Sequence, residues 1–241
     1  MPFRHAHRPH RPCPSVLLGA AVAGLAALAA TSAAVAVAGS GDPSAPGAFA
    51  VGTSVRTVAR DDGSSFTADL YYPALADGSG APPAPAAGPA PMVTFGHGFL
   101  QPVSQYDSTL RHLASHGYLV IASRSAGGFF PNHLAFARDL SWCIDHLLAA
   151  GADPGSPFFG LVSPDRFASS GHSMGGGASV LCASLDARVR AVANLAAAET
   201  STSAIAAAAT LDIPLRFIVG DSDGITPTAG HAGPMFEAAP G

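Results

Sequence analysis

Lysine is absent from the 241-residue chain, so all 12 of its basic residues are arginines. Sixteen acidic residues outnumber them and give the chain a formal net charge of −4. Proteins that bind nucleic acids or anionic membrane surfaces usually carry a basic patch. Because no arginine cluster follows the N-terminal segment, the charge pattern argues against both kinds of partner.

Cysteine is also scarce, with three residues in the whole chain. Only Cys143 and Cys182 follow the N-terminal segment, and their spacing fits no metal-binding motif. Both lie in segments with helical patterns, where they form either a disulfide or two buried free thiols. We therefore expect no metal site, and nothing else in the sequence implies a cofactor.

The N-terminus has the pattern of an export signal. Three arginines precede an apolar, alanine-rich run at 16–30, and Ala-x-Ala cleavage sites follow within 34–38. The run is shorter than a membrane span usually needs, so we expect no stable membrane anchor. The pattern predicts a signal peptide at 1–38, secretion to the periplasm or the extracellular space, and a flexible leader at 39–52.

After the leader, the hydrophobic pattern alternates between strands and helices. An Asp-Asp-Gly-Ser turn at 61–64 predicts an antiparallel hairpin, and the alternation predicts a mostly parallel sheet with helices on both faces. A Pro/Ala/Gly-rich segment at 74–91 is expected to be an exposed loop. The predicted strands are 53–58, 66–72, 92–95, 119–123, 167–170, 189–195 and 215–219, and the predicted helices are 105–116, 134–148, 174–185 and 227–238.

The strongest chemical signal is the sequence Gly-His-Ser-Met-Gly at 171–175. It follows a predicted strand and opens a predicted helix, which is the context of a Gly-x-Ser-x-Gly nucleophile elbow. In such an elbow, a tight turn lifts the serine hydroxyl above the carboxyl ends of the strands. Ser173 is therefore the candidate nucleophile.

A serine nucleophile also needs an acid, which follows a later strand in this fold. The strand at 215–219 leads into Asp221 and Asp223, and position alone does not choose between them. Aspartates in such loops also serve as ordinary turn residues. A calcium-binding loop does not fit, because Ala232 stands where a bidentate carboxylate would be needed.

The oxyanion hole is predicted at the end of an earlier strand, where Gly-His-Gly-Phe occupies 96–99. In this fold one donor comes from that turn and the other from the residue after the nucleophile. The candidate donors are the backbone N–H groups of Phe99 and Met174. Alone, the 96–99 sequence would indicate a tight turn; its position before an elbow favours the oxyanion interpretation.

Together with Leu-Ala-Ser-His-Gly-Tyr-Leu-Val at 113–120, these motifs resemble secreted bacterial cutinase-like polyester hydrolases. They also resemble the related chlorophyllases and dienelactone hydrolases. Asp-Gly-Ile-Thr-Pro at 223–227 is similar to the acid motif of that family, which selects Asp223 over Asp221. The resemblance implies an α/β-hydrolase domain at 53–241 and a cofactor-free, cutinase- or lipase-type esterase. It would act through an acyl-serine on small or polymeric esters.

The sequence departs from these similar enzymes in three features. The residues at 196–200 are Ala-Ala-Ala-Glu-Thr, where those enzymes carry an aromatic residue that clamps the substrate, and Phe99 stands where tyrosine is frequent. The family histidine follows the acid by some tens of residues, beyond another strand. We therefore expect this chain to lack the catalytic histidine and the C-terminal strand and helix. The remaining candidate, His231, is interpreted as a surface helix residue.

Two further interpretations concern the substrate region and the class of protein. Phe129 and Phe130 follow the strand at 119–123, and we expect them to be buried in packing rather than to contact substrate. Alternatives to the esterase are a catalytically inactive, secreted acyl-binding protein and a serine exopeptidase. In each case we expect a monomer.

Overall fold

The computed structural model describes residues 42–240, so the predicted signal peptide at 1–38 lies outside the described residues. Strands and helices alternate along this part of the chain. The strands are β1 (Ala50–Ala59), β2 (Ser65–Ala74), β3 (Gly78–Ser79), β4 (Ala90–Gly96), β5 (Leu119–Ser123), β6 (Val162–His172), β7 (Val189–Leu195) and β8 (Leu215–Ile218). The α-helices are α1 (Asp107–Ser115), α2 (His133–Ala152), α3 (Met174–Leu185), α4 (Ala204–Ala208) and α5 (Ala232–Ala238).

The eight strands form one sheet in the order β3-β1-β2-β5-β4-β6-β7-β8. Strands β5, β4, β6, β7 and β8 run parallel to one another, whereas β2 pairs antiparallel with both β1 and β5. This arrangement confirms the predicted mostly parallel α/β sheet with an antiparallel hairpin near one edge. It also collects the carboxyl ends of the parallel strands at one edge, where such sheets bind ligands.

Strand β1 is longer than predicted, because its pairing with β2 runs from Ala50 opposite Ala74 to Ala59 opposite Ser65. The end of the expected flexible leader therefore belongs to the sheet. The residues before β1 are also held, since the N–H groups of Gly47 and Phe49 donate to the Ser115 side chain and carbonyl at the end of α1. Composition predicted a leader and could not reveal these distant acceptors.

The Pro/Ala/Gly-rich segment at 74–91 is more ordered than the expected exposed loop. Strand β3 adds to the edge of β1, and the Gly80 N–H donates to the Thr53 carbonyl at 2.8 Å. A 3₁₀ turn follows at Pro85–Ala87, and Ala84 beside it is buried. Backbone pairing with a free sheet edge provides this order, and backbone pairing leaves no signature in composition.

Helices cover both faces of the sheet, as predicted. Neighbouring residues of a strand point to opposite faces, so the buried Val120 packs on the α1 side while Ile121 packs on the side of α2 and α3. On the second face, every residue from Met174 through Ala183 of α3 is buried. The small side chains of this helix let its backbone lie close to the sheet.

Cys143 of α2 and Cys182 of α3 are both buried and free, which decides between the two predicted alternatives in favour of thiols. Burial raises the pKa of both thiols well above the ordinary value, because the thiolate would lose its hydration. Both side chains belong to the apolar core cluster. Their contribution is therefore packing rather than reactivity.

The C-terminal part departs from prediction in two places. The expected helix 227–238 is divided at His231, with a 3₁₀ turn at Thr228–Gly230 before it and α5 after it. Helix α4 was not predicted; the Ser203 side chain caps it by accepting from the Ala206 N–H at 3.0 Å. Within residues 42–240, no helix is both long enough and apolar enough to cross a membrane.

Candidate active site

Ser173 occupies the turn between β6 and α3, with φ +52° and ψ −121°. L-residues rarely adopt this conformation, which is the strained geometry of a nucleophile elbow. The backbone is held by neighbours, because the Ser173 N–H donates to the Leu195 carbonyl at 3.0 Å and its carbonyl accepts from the Ala198 N–H at 2.9 Å. The elbow is thereby fixed to the carboxyl end of β7.

Glycines let the elbow approach the neighbouring strand. A Cβ atom built on Gly175 would lie 2.1 Å from the Gly96 carbonyl oxygen, and one on Gly171 would lie 2.3 Å from the Gly175 carbonyl oxygen. These neighbours are backbone atoms, which cannot move aside as a flexible side chain can. The first turn of α3 therefore packs backbone to backbone against the end of β4.

This close approach brings the two predicted oxyanion donors to one place. Phe99 and Met174 line the same cavity as Ser173. Among the hydrogen bonds of residues 42–240, neither of their N–H groups has an acceptor, whereas the Gly98 N–H already donates to the Tyr106 hydroxyl at 2.9 Å. Two free N–H donors beside a serine are the arrangement that stabilises an oxyanion.

Asp223 lies in the loop after β8 and lines a cavity together with Ser173. Its carboxylate accepts from the N–H groups of Ile225 at 2.8 Å and Thr226 at 3.0 Å, and from the Thr226 hydroxyl at 2.7 Å. These hydrogen bonds, with those from Thr226 the strongest, lower the pKa of Asp223. Asp221 is exposed and lines neither cavity beside Ser173, so the geometry favours Asp223.

His231, expected on the surface of a helix, instead lies half-buried at the start of α5 and lines a cavity with Ser173. Its Nδ1 accepts the Glu199 N–H at 2.9 Å, so the neutral ring carries its proton on Nε2. A triad base needs the opposite arrangement, with Nδ1–H donated to the acid and Nε2 free to accept. This hydrogen bond therefore argues against His231 as the base.

His172, at the variable position of the elbow, is also engaged through Nδ1, which lies 2.8 Å from the Tyr106 hydroxyl. Burial lowers the pKa of His172, and the nearby Asp223 carboxylate opposes that shift. Within residues 42–240, no side chain is hydrogen-bonded to the Ser173 hydroxyl. The sequence could not reveal the Tyr106 contact, because the two residues are 66 positions apart.

Ser173 lies at the junction of two cavities of about 340 Å³ each. Phe99 and Ile225 form apolar walls shared by both cavities. Asp223 lies on one side of Ser173, while Met174 and the segment after β7 lie on the other. The cleft thus presents an apolar surface on both sides of the hydroxyl, as an ester with two organic groups would need.

Phe129 and Phe130 are exposed, at 74% and 99% of their surface, so the expectation that they are buried in packing is wrong. They lie in a loop whose next residue, Pro131, lines the cavity of Ser173 and Met174. Hydrophobicity predicted burial, but no other part of residues 42–240 covers these two rings in the loop that follows β5.

The comparisons with known proteins agree with this geometry. Residues 38–240 match the model of a family described as PET hydrolase-like. A comparison with curated proteins gives no match. The family match covers most of the chain, and the matched residues include the eight-stranded sheet, the elbow and the cleft. The chain therefore belongs to the PET hydrolase-like family of α/β-hydrolases, as its resemblance to polyester hydrolases predicted.

Proposed function

We propose that the protein hydrolyses carboxylic esters through an acyl-Ser173 intermediate. The observation that carries the proposal is one cleft in which a strained serine, two free backbone donors and an ionised Asp223 meet. Phe99 and Met174 supply the donors through their N–H groups. Family membership supports ester hydrolysis in general, and this arrangement gives each residue a role.

In the first half of the reaction, Oγ of Ser173 attacks the ester carbonyl carbon while a base takes its proton. The N–H groups of Phe99 and Met174 stabilise the oxyanion, each typically contributing about 3 kcal/mol. The C–O bond then breaks, and the alcohol leaves with the proton that the base held. Water attacks the acyl-serine in the second half, releasing the acid and restoring the hydroxyl.

The base in this proposal comes from outside residues 42–240. The support is the hydrogen bonding of two histidines that line the cavities beside Ser173. Nδ1 of His231 accepts the Glu199 N–H, and Nδ1 of His172 is paired with the Tyr106 hydroxyl. Neither ring can give an Nδ1 proton to Asp223 while accepting from Ser173 at Nε2. Asp223 would then orient an imidazole that the described residues do not supply.

For the substrate, we propose a water-insoluble polyester, met outside the cell after export. The apolar walls of the cleft fit an organic chain on each side of the scissile bond. The exposed Phe129 and Phe130 extend this apolar surface outward. The segment after β7 contributes Ala198 and Glu199 to the cleft, which leaves that side without an aromatic clamp. An aliphatic polyester therefore fits better than an aromatic one.

Chemical rescue tests the function. We expect hydrolysis of 4-nitrophenyl butyrate by the chain to be weak in plain buffer and to rise with added imidazole, which replaces the missing base. Imidazole also cleaves this ester unaided, so Ser173→Ala supplies the background at each concentration. A fluorophosphonate probe should label Ser173 with the same imidazole dependence.

Three outcomes would contradict the proposal. Equal turnover by the parent protein and Ser173→Ala at every imidazole concentration would show that Ser173 is not the nucleophile. Rapid labelling of Ser173 without imidazole would show that a base is already present and would return attention to His231. If Ser173 in a folded sample stays unlabelled under all conditions, the non-catalytic acyl-binding protein becomes the better description, and titration with butyrate would test it.

A further inference from the structure

We propose that Tyr106 is a positioning residue whose hydroxyl locks the two halves of the oxyanion hole together. The catalytic part of this inference rests on the proposed ester hydrolysis. Tyr106 ends a 3₁₀ turn at Val103–Tyr106 just before α1, outside every motif that the sequence analysis identified. Its importance comes from where its hydroxyl lies.

The hydroxyl bridges two residues that immediately precede reacting groups. The Gly98 N–H donates to it at 2.9 Å, and Gly98 precedes the donor Phe99. On its other side Nδ1 of His172 lies 2.8 Å away, and His172 precedes the nucleophile Ser173. Because the oxygen accepts from Gly98, its own proton is free to be donated to His172. One hydroxyl group thus connects the oxyanion loop to the elbow.

The ring that carries this hydroxyl is held in place. Tyr106 is 9% exposed, and its ring centroid lies 5.0 Å from that of the buried Phe95 on β4. Burial raises the pKa of Tyr106, so the hydroxyl keeps its proton at neutral pH. A rigid ring with a protonated hydroxyl acts as a fixed spacer between the two chain segments.

The space around Gly98 independently shows that the loop after β4 lies close to both partners of this bridge. A Cβ atom at Gly98 would lie 2.8 Å from Nδ1 of His172 and 3.0 Å from the Tyr106 hydroxyl. Any side chain there would push the loop away from both partners. The loop therefore needs glycine at the position where the hydroxyl holds it.

The bridge also fixes a protonation state. With Nδ1 accepting, the neutral His172 ring carries its proton on Nε2. Removal of the hydroxyl would leave the Gly98 N–H and His172 Nδ1 without their partner, while the aromatic packing stays. The loop bearing Phe99 would then be free to shift relative to Met174, and an oxyanion hole works only when both donors are in place.

The test is Tyr106→Phe, with Tyr72→Phe as the matched control. Tyr72 is also buried, and its hydroxyl donates a single hydrogen bond to the Ala81 carbonyl at 2.7 Å, in the segment after β3. The first readout is the ¹⁵N spectrum of the His172 ring, assigned with His172→Phe. It reports the tautomer whether or not the protein turns over esters.

We expect the parent protein to show His172 protonated at Nε2, with a signal for hydrogen-bonded Nδ1 that is lost in Tyr106→Phe and kept in Tyr72→Phe. The second readout is imidazole-rescued turnover. Tyr106→Phe should lower kcat by about 10- to 100-fold with little change in KM, since the substrate pocket is intact. Tyr72→Phe should leave kcat unchanged even if it lowers the melting temperature.

A His172 Nδ1 signal that is the same in the parent protein and in Tyr106→Phe would overturn the bridge, and a parent ring protonated at Nδ1 would overturn the tautomer that the bridge is proposed to fix. Equal kcat for the two variants, with equal loss of melting temperature, would reduce Tyr106 to a structural residue and overturn the positioning role. If the parent shows no Ser173-dependent turnover with imidazole, the proposed function and the positioning role both fail. The spectrum would still decide whether the hydroxyl bridge exists.

Discussion

Replacing Ser173 with glycine should stabilise the protein, because this proposed nucleophile holds a conformation that glycine adopts at little cost. A non-glycine residue with φ +52° and ψ −121° carries strain of about 1–3 kcal/mol. Glycine relieves that strain but adds about 0.5–1 kcal/mol of unfolded-state entropy. We therefore expect Ser173→Gly to exceed Ser173→Ala in unfolding free energy by about 1 kcal/mol.

The comparison with Ser173→Ala isolates the backbone effect, since both variants lack the hydroxyl and keep the backbone hydrogen bonds of the elbow. For a chain of this size, about 1 kcal/mol corresponds to about 2–4 °C in melting temperature. Urea unfolding gives the free energies, and thermal unfolding gives the shift. Ala126→Gly, at φ +61°, serves as a positive control for relief of positive φ.

If Ser173→Gly is no more stable than Ser173→Ala while Ala126→Gly gains stability, the elbow does not store strain and the reasoning is refuted. The expected result would instead show that the protein gives up stability to hold Ser173 in the conformation of the elbow. Ser173→Gly should also remain unlabelled by fluorophosphonate at every imidazole concentration, so the gain in stability would come with complete loss of the reaction.

Three other predictions concern stability. The side chain of Asp139 is 5% exposed and that of its partner Arg60 is 23% exposed. Arg60→Met leaves a buried carboxylate without its partner, so it should lower the unfolding free energy in urea by about 3–5 kcal/mol. Asp139→Asn should lower it by about 1.5–3 kcal/mol. Equal losses in the two variants would contradict this asymmetry. Gly175→Ala places Cβ 2.1 Å from a carbonyl oxygen, so it should lower the unfolding free energy by at least about 1–3 kcal/mol and abolish most labelling of Ser173. Gly128→Ala has open space around its Cβ and should change neither quantity. Burial lowers the pKa of three histidines, so below pH 6.5 the unfolded chain binds more protons than the folded chain. The urea midpoint should therefore decrease as the pH is lowered from 7.5 to 5.5 at constant ionic strength. A midpoint that does not change with pH would contradict this prediction. These histidines are His133, His146 and His172.

The parts of this protein that the sequence predicted are those encoded by contiguous residues. The predicted bounds of β5, β7 and α3 coincide with those of the structure, because each is a short run with one pattern. The strand, turn and helix of the elbow are also contiguous, so the sequence located Ser173 in its strained turn. The contiguous sequence did not choose between Asp221 and Asp223, and only the resemblance to a known acid motif favoured Asp223.

The features that the sequence missed depend on distant partners. Strand β3 exists because β1 offers a free edge, and Tyr106 meets His172 although the two residues are 66 positions apart. Phe129 and Phe130 show the opposite limit, since hydrophobicity alone predicted burial. A side chain is buried only when the fold places another layer over it, and no periodicity in a short loop reports that layer.

The tautomers of the cleft histidines connect the fold to its chemistry. A neutral imidazole accepts a hydrogen bond at one nitrogen only. In His231 the Glu199 N–H takes that acceptor at Nδ1, and in His172 the same atom is paired with the Tyr106 hydroxyl. Nδ1 of each ring is therefore held by a neighbouring group, although each ring lines a cavity beside Ser173. We therefore expect activity at Ser173 to follow the supply of a separate imidazole. The size of the imidazole rescue would then report how well the proposed nucleophile and oxyanion donors are positioned.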